Sequence, residues 1–343
     1  MIALALLALA AATALVVSAA PLVVYATTLA LLGFAHVVVE LRYVRDRFAR
    51  RIERRLIVAW FLLLGLIVAS RVTALLRIAL PFDRGVAELA LLAALLLVTA
   101  LGAPRGRRLA ALALSAPLGA ALWMAPPAAA LALLAFAHNL TPLGFLAERL
   151  RGRAAAPALL VAGIAFLVVP LLLLAGAGDL LLERLALPRS DGAFLAIGEV
   201  DDHFTAFLPP AWLAEEFAPR LFTAAVYLQC AHYFAVLHVL PRLGGGGAGA
   251  AAGSAPELAV AAPALPWRRR AIVGAALLTG AALLFLFHRS FPDGRRIYGV
   301  AAALHAYLEW PLLLAVVIGA APFRAVPPAH ASLAATPRLG APA

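Results

Sequence analysis

Long apolar runs, separated by short polar or arginine-rich stretches, recur along almost the whole of this chain. A helix needs about 20 apolar residues to cross a bilayer, and most of the runs approach or exceed that length. The first run lacks the basic start of a secretory signal peptide and is interpreted as a span. The pattern predicts an all-α fold, a polytopic transmembrane helix bundle with about ten spans, and a division into eight or nine is also compatible with it. The predicted spans are residues 2–18, 22–41, 56–76, 86–103, 109–124, 127–147, 156–176, 219–241, 271–288 and 298–320.

The segments between and after the spans differ from them in composition. Residues 42–55 are basic and are interpreted either as an extension of the second helix along anionic headgroups or as a solvated loop. Residues 177–218 hold eight of the 17 acidic residues and are predicted to form an extracytoplasmic interfacial segment. Residues 243–267, rich in glycine, alanine and proline, are predicted to be a flexible cytoplasmic linker. Residues 1–321 then form a single transmembrane domain, and residues 322–343 a disordered C-terminal tail.

Composition and charge favour a membrane protein over a nucleic-acid-binding one. Hydrophobic residues make up 65% of the chain and charged residues 13%, whereas soluble domains average about half and a quarter. All 28 basic residues are arginine, and they cluster between the apolar runs. With the N-terminus in the cytoplasm, the loops on that side hold 17 of them. The positive-inside rule therefore predicts a multi-pass membrane protein with a cytoplasmic N-terminus, with membrane lipid and no nucleic acid among its partners.

Five of the eight histidines fall inside predicted spans, and His288 stands at the end of another. An imidazole in hydrocarbon must find a hydrogen-bond partner, a metal ion or a water-filled cavity, so ionisable residues inside a membrane indicate a functional site by default. Two of the five lie in the eighth predicted span, an apolar run that also carries Gln229 and Cys230. The candidate metal ligands are His36, His138, His232, His238 and His305.

Only three acidic residues lie inside predicted spans, and two of them follow a histidine by four positions. The pairs are His36 with Glu40 and His305 with Glu309, while Glu88 has no such partner. By chance a histidine has an acid at that offset about once in twenty, because 17 of the 343 residues are acidic. Helix residues four apart share a face. Each pair therefore offers an imidazole ligand and a carboxylate that can balance cationic charge or orient an imidazole.

A shared metal site is one of several interpretations of these histidines. Imidazole nitrogen without thiolate suits iron, copper, zinc or nickel, and four or more neutral histidines beside carboxylates suit an iron that keeps an open position for dioxygen. Alternatively, each histidine bonds only to a neighbouring helix, a histidine pair holds haem in a membrane cytochrome, or a histidine and glutamate relay carries protons in a transporter. His232 and His238 do not share a helix face, so only one of the two is expected to bind a shared ion.

Four short motifs carry most of these residues: HVVVE with His36 and Glu40, LLAFAHNLTPLGF with His138, YFAVLH with Tyr233, Phe234 and His238, and HAYLE with His305 and Glu309. In order and approximate spacing they resemble the motifs of the Brp/Blh family, bacterial integral-membrane β-carotene 15,15′-dioxygenases. The chain also differs from the family. Ala35 and Val37 replace a proline and a glycine that usually flank the first histidine. Arg242 stands where the family has a further histidine, whereas His232 is additional.

The resemblance implies a membrane-embedded non-haem oxygenase of a bacterial-type inner (plasma) membrane, with Fe(II) held by histidines. From the residues themselves, another transition metal is also possible. The resemblance also implies dioxygen and a lipophilic small molecule as substrates, and oxidative cleavage of the central double bond of a carotenoid to two retinal-type aldehydes. Glu40 and Glu309 are expected to be auxiliary ligands or to orient the histidines. The implied ligands are His36, His138, His305 and one of His232 or His238.

Aromatic side chains close to these motifs are candidates for a substrate tunnel. A long apolar substrate partitions into the bilayer and would enter the bundle laterally, and the protein would position its double bond and exclude water. Ordinary helix packing is an equally good interpretation of the same side chains. The candidates are Phe34, Phe136, Tyr233, Phe234, Tyr307 and Trp310.

Overall fold

The computed structural model describes residues 2–48, 52–150, 155–190, 208–244 and 267–318. The regular elements in these ranges are all helical and include no strand, so the predicted all-α fold is confirmed. The predicted tail and most of the predicted linker lie outside the described residues. In chain order the helices are α1 (Ile2–Ala19), α2 (Pro21–Phe48), α3 (Arg54–Leu75), α4 (Arg84–Gly102), α5 (Arg108–Met124), α6 (Pro127–His138), α7 (Thr141–Arg149), α8 (Ala156–Leu174), α9 (Ala177–Arg184), α10 (Pro210–Leu213), α11 (Ala218–Leu243), α12 (Trp267–Arg289) and α13 (Phe291–Val317).

Seven helical segments within the described residues are long and apolar enough to cross a membrane. They indicate a membrane protein, as the apolar runs predict. Helices also cover the first, fifth and ninth predicted spans, but these helices are not among the seven, so the count of about ten spans is not confirmed. The seven are α2, α3, α4, the pair α6 and α7, α8, α11 and α13.

The sixth predicted span, residues 127–147, is divided into two helices. α6 ends at His138 and α7 begins at Thr141. Pro142 lies in the first turn of α7, where its missing N–H removes no helical hydrogen bond. The break leaves His138 at the carboxyl end of α6.

α11 is the most enclosed of the seven segments. In its apolar window 67% of the residues are buried, compared with 17% to 44% in the other six. A turn of π-helix occupies Ala235–Val239, and such turns insert a residue and shift the helix face, often next to functional sites. His232 precedes this turn, whereas His238 lies within it.

α2, α11 and α13 connect the two larger apolar cores of the bundle. α2 packs against α11, α12 and α13, and α13 also packs against α3 and α4. One core is formed mainly by α3, α4, α6, α7 and α13, and the other by α1, α2, α8, α11 and α12. The contact of α2 with α12 is close, because a Cβ atom at Gly280 would lie 2.6 Å from the carbonyl oxygen of Ala30. α2, α11 and α13 contribute residues to both cores.

Candidate metal centre

Four histidines from four helices meet in one buried group, which we call the histidine cluster. One ring nitrogen from each lies within 4.8 Å of the others. Three of the side chains are at most 2% exposed, and the fourth, that of His138, is 13% exposed. The members are His36 of α2, His138 of α6, His232 of α11 and His305 of α13.

The rings of the histidine cluster approach one another through their nitrogens. The Nε2 atoms of His36 and His305 are 3.0 Å apart, and the His138 ring lies 4.7 Å from the His232 ring and 4.8 Å from the His305 ring between centroids. Two nitrogens bound to one ion at about 2.1 Å lie about 3.0 to 3.4 Å apart. The separation of the two Nε2 atoms therefore fits two ligands of one metal ion.

Glu309 joins the cluster through a histidine of another helix. Its Oε2 atom accepts hydrogen bonds from Nδ1 of His138, at 2.6 Å, and from the hydroxyl of Thr141, also at 2.6 Å. Because Nδ1 of His138 then carries the ring proton, Nε2 keeps its lone pair for a ligand. The carboxylate thus fixes both the orientation and the tautomer of this ring.

Glu40 is equally buried but is bonded differently. It is 1% exposed, and neither of its oxygens has a hydrogen bond within the described part of the chain. Its Oε2 atom lies 3.5 Å from Nε2 of His232. Glu40, His232 and Glu309 form a second group, in which one donor atom of each lies within 4.8 Å of the others. His232 therefore belongs to both groups.

The donor atoms that lack partners fit a bound cation. Buried polar groups are costly unless they find a partner. Six atoms around the cluster have no hydrogen bond to any described residue. A metal ion would satisfy those that offer a lone pair, which each neutral imidazole has on one ring nitrogen while the other carries an N–H. The histidine and glutamate side chains could therefore hold a metal ion. The six atoms are both oxygens of Glu40, both ring nitrogens of His232, Nδ1 of His305 and Oε1 of Glu309.

His238 does not join the histidine cluster. Its side chain is exposed, and its ring packs against the exposed ring of Phe234, with 5.5 Å between the centroids. Its backbone carbonyl accepts a hydrogen bond from Arg242 at 2.6 Å. Of the two candidates in α11, the structure brings only His232 to the other histidines.

Among the predicted tunnel residues, Tyr233 is the one that contacts the ring of His36. The two rings are 4.2 Å apart between centroids and tilted by 34°. The Tyr233 hydroxyl lies 3.5 Å from that of Tyr298, whose ring packs against Phe34 at 5.6 Å. A Cβ atom at Gly33 would lie 2.7 Å from the Tyr298 ring, so glycine permits this approach. Tyr233 therefore packs directly on a ring of the cluster, and Phe34 follows two contacts further out, beyond Tyr298.

The other four predicted tunnel residues have different surroundings. Phe234 is exposed on α11, and the Tyr307 hydroxyl donates to Glu88 rather than to the cluster. Phe136 and Trp310 are partly buried and pack against apolar side chains. The substrate tunnel therefore stays a prediction, with Tyr233 in direct contact with the cluster.

The sequence analysis missed two polar residues that the structure places near the cluster. Thr141 stands three residues after His138, and a hydroxyl so close to an intramembrane histidine was the available signal. Tyr298 lies seven residues before His305, two helical turns away on the same face, and this spacing could have indicated it. In comparisons with protein-family models, with curated proteins and with solved structures, no match to this chain was found.

Proposed function

We propose that this protein is a membrane-embedded non-haem metal oxygenase and a divergent member of the Brp/Blh family. The observation that carries the proposal is the histidine cluster, with four ring nitrogens from four helices within 4.8 Å of one another. The two buried carboxylates beside it and the apolar helices around it add support. Iron(II) is the ion and a lipophilic molecule the substrate in this proposal.

The chain's own residues would bind the ion and balance its charge. A divalent cation with neutral imidazoles and two ionised carboxylates has no net charge, which reduces the cost of keeping the group away from water. Glu309 holds the Nδ1 proton of His138 and so leaves Nε2 of that ring available. Glu40, which lacks a hydrogen bond to any described residue, is available as an additional ligand.

The proposed reaction is the oxidative cleavage of a carbon–carbon double bond. Iron, when bound, supplies the redox chemistry that activates dioxygen. Both atoms of one dioxygen molecule join the two carbons, and the bond between these carbons breaks to leave two aldehydes, so no external reductant is needed. The protein has to hold the double bond beside the cluster and exclude water. The near-complete burial of His36, His232 and His305 suits that task.

A carotenoid or similar polyene is the substrate class that we propose. Such a molecule dissolves in the bilayer and would reach the bundle from its lipid-facing side. Tyr233, which packs on the ring of His36, would place an aromatic surface beside the reacting carbons. Expression in a carotenoid-accumulating bacterial host tests this substrate: loss of colour with formation of aldehydes supports it, and unchanged pigment contradicts it.

Metal analysis of the detergent-purified protein tests the centre itself. We expect one transition-metal ion for each chain, and a large loss of metal in His36→Ala and in His305→Ala. His238→Ala is the matched control, because this histidine lies in a membrane helix but outside the cluster. Wild-type protein without iron, copper, zinc or nickel after growth in metal-rich medium would contradict the proposal. A Soret band would instead indicate haem, and pH-dependent flux without metal would indicate a proton relay.

A further inference from the structure

A second buried polar group lies on α3, α4 and α13, away from the histidine cluster. Arg71 donates to Oε2 of Glu88 from Nε at 3.1 Å and from Nη2 at 2.8 Å. The Tyr307 hydroxyl donates to the same oxygen at 3.0 Å. Nη1 of Arg71 also donates to the backbone carbonyl of Gly299 at 3.1 Å. These contacts attach α13 at two points to the neighbouring helices.

The charges of this group lie within membrane-spanning helices. The Glu88 side chain is 8% exposed and that of Arg71 is 30% exposed, and the guanidinium lies 5.7 Å from the centroid of the Tyr307 ring. Charged residues in a membrane span are costly and indicate a functional role by default. Removing one member of a buried pair leaves the other uncompensated. The metal-binding function described above does not use this pair.

The position of Tyr307 relates this group to the metal ligands. Successive residues of an α-helix are about 100° apart around its axis, so Tyr307 points away from both His305 and Glu309. α13 therefore presents its ligand-bearing face to the cluster while the opposite face is bonded to Glu88. The attachment at Gly299 lies about 12 Å further along the helix axis, and two separated attachments resist both rotation and sliding.

We propose that Arg71, Glu88 and Tyr307 are positioning residues that set the rotation and axial position of α13 and thereby aim His305 and Glu309 at the metal. This inference rests on the proposed metal-binding function. It extends to His138, because Glu309 orients that ring through a hydrogen bond of 2.6 Å. A shift of α13 would therefore displace one ligand directly and a second through its carboxylate partner.

Cobalt(II) binding to the metal-free full chain in detergent tests the proposal, because its visible absorption bands report ligand geometry. Tyr307→Phe removes one hydroxyl and keeps the ring, and Glu88→Gln removes the charge that holds Arg71. We expect both variants to bind cobalt about 10- to 100-fold more weakly, the range typical for residues that support metal ligands, and to show shifted bands.

Thr99→Val is the matched control. Its hydroxyl accepts a hydrogen bond from Nε1 of Trp60 at 2.9 Å and joins α3 to α4 without an atom of α13. We expect this variant to lose thermal stability but to keep the wild-type cobalt spectrum and affinity. Wild-type affinity and spectrum in both Tyr307→Phe and Glu88→Gln would overturn the inference, and so would an equal change in Thr99→Val. Absence of cobalt binding by the wild type would instead contradict the proposed function.

Discussion

The two histidine–glutamate motifs have the same spacing but different surroundings. On α13, Glu309 accepts hydrogen bonds from His138 and Thr141. On α2, Glu40 is just as buried, yet neither of its oxygens has a hydrogen bond to a described residue, and Nε2 of His232 lies 3.5 Å away. One sequence pattern thus yields a carboxylate that belongs to a hydrogen-bond network and another whose oxygens have no hydrogen bond to a described residue and could bind a cation.

The comparison separates what helical spacing determines from what it does not. Residues four apart on a helix point in the same direction, so each glutamate faces the same region as its own histidine. A histidine ring on a facing helix points towards the carboxylate. The histidine of the glutamate's own helix, one turn away, points in the same direction as the carboxylate. In both motifs the glutamate therefore contacts a histidine of a different helix, on α6 in one case and on α11 in the other.

Removing both carboxylate charges should have the largest effect. In Glu40→Gln combined with Glu309→Gln, a divalent ion would keep its whole charge in a buried site. We expect the metal content of the purified protein to fall to background. Glu53→Gln combined with Glu183→Gln, which changes two exposed acids, should keep the full content. A fully loaded double variant would show that the glutamates do not balance the charge of the ion.

Truncating Glu309 alone should come next. Glu309→Ala removes the acceptor that holds Nδ1 of His138, and loss of such a partner typically weakens metal binding about 10- to 100-fold. Titration of the metal-free protein measures this change. An unchanged dissociation constant would contradict the orienting role of Glu309.

The stability of the metal-free protein should respond in opposite directions to the two single charge removals. Glu40→Gln removes a buried charge that has no hydrogen bond to a described residue, so we expect the free energy of unfolding to rise. Glu309→Gln weakens two charge-assisted hydrogen bonds, so we expect the free energy of unfolding to fall. Each of the two changes should be about 1 to 3 kcal/mol. Thermal unfolding after chelation measures both. Changes of the same sign would contradict the difference between the two motifs.

The smallest effect is expected for the hydroxyl beside Glu309. Thr141→Val removes the hydroxyl that contacts both Oε2 of Glu309 and the backbone carbonyl of His138. A hydroxyl donates one proton, so the loss is worth about 1 kcal/mol and metal affinity should fall about fivefold. Thr13→Val is a matched control, because the Thr13 hydroxyl bonds only to a backbone carbonyl of its own helix among the described residues. A larger loss in Thr141→Val than in Glu309→Ala would mean that Thr141 acts other than through this carboxylate.

Much of the fold follows from the apolar runs, but the ends of helices depend on local chemistry. The second predicted span ends at residue 41, whereas α2 continues through basic residues to Phe48, because helix propensity does not stop where hydrophobicity does. The division between α6 and α7 was predictable from Pro142, which lacks the N–H that would donate to the carbonyl of His138 in a continuous helix. The length of the apolar run gave no indication of this break.

The candidate site was predictable as a set of residues but not as a set of contacts. Intramembrane position singled out the histidines, and the shared helix face singled out Glu40 and Glu309. The sequence indicated that His232 and His238 face different ways, but the packing of α11 decides which one faces inward. The bond between Glu309 and His138 joins residues 171 positions apart, and no local pattern specifies it.

The unequal exposure of the four rings bears on how small molecules reach the centre. His36, His232 and His305 are sealed by the helices around them, whereas His138, at the end of α6, retains a little contact with the outside. A small molecule that approaches from this side would therefore contact this imidazole first. The size of the side chains that border the break between α6 and α7 would consequently determine which small molecules can reach the centre.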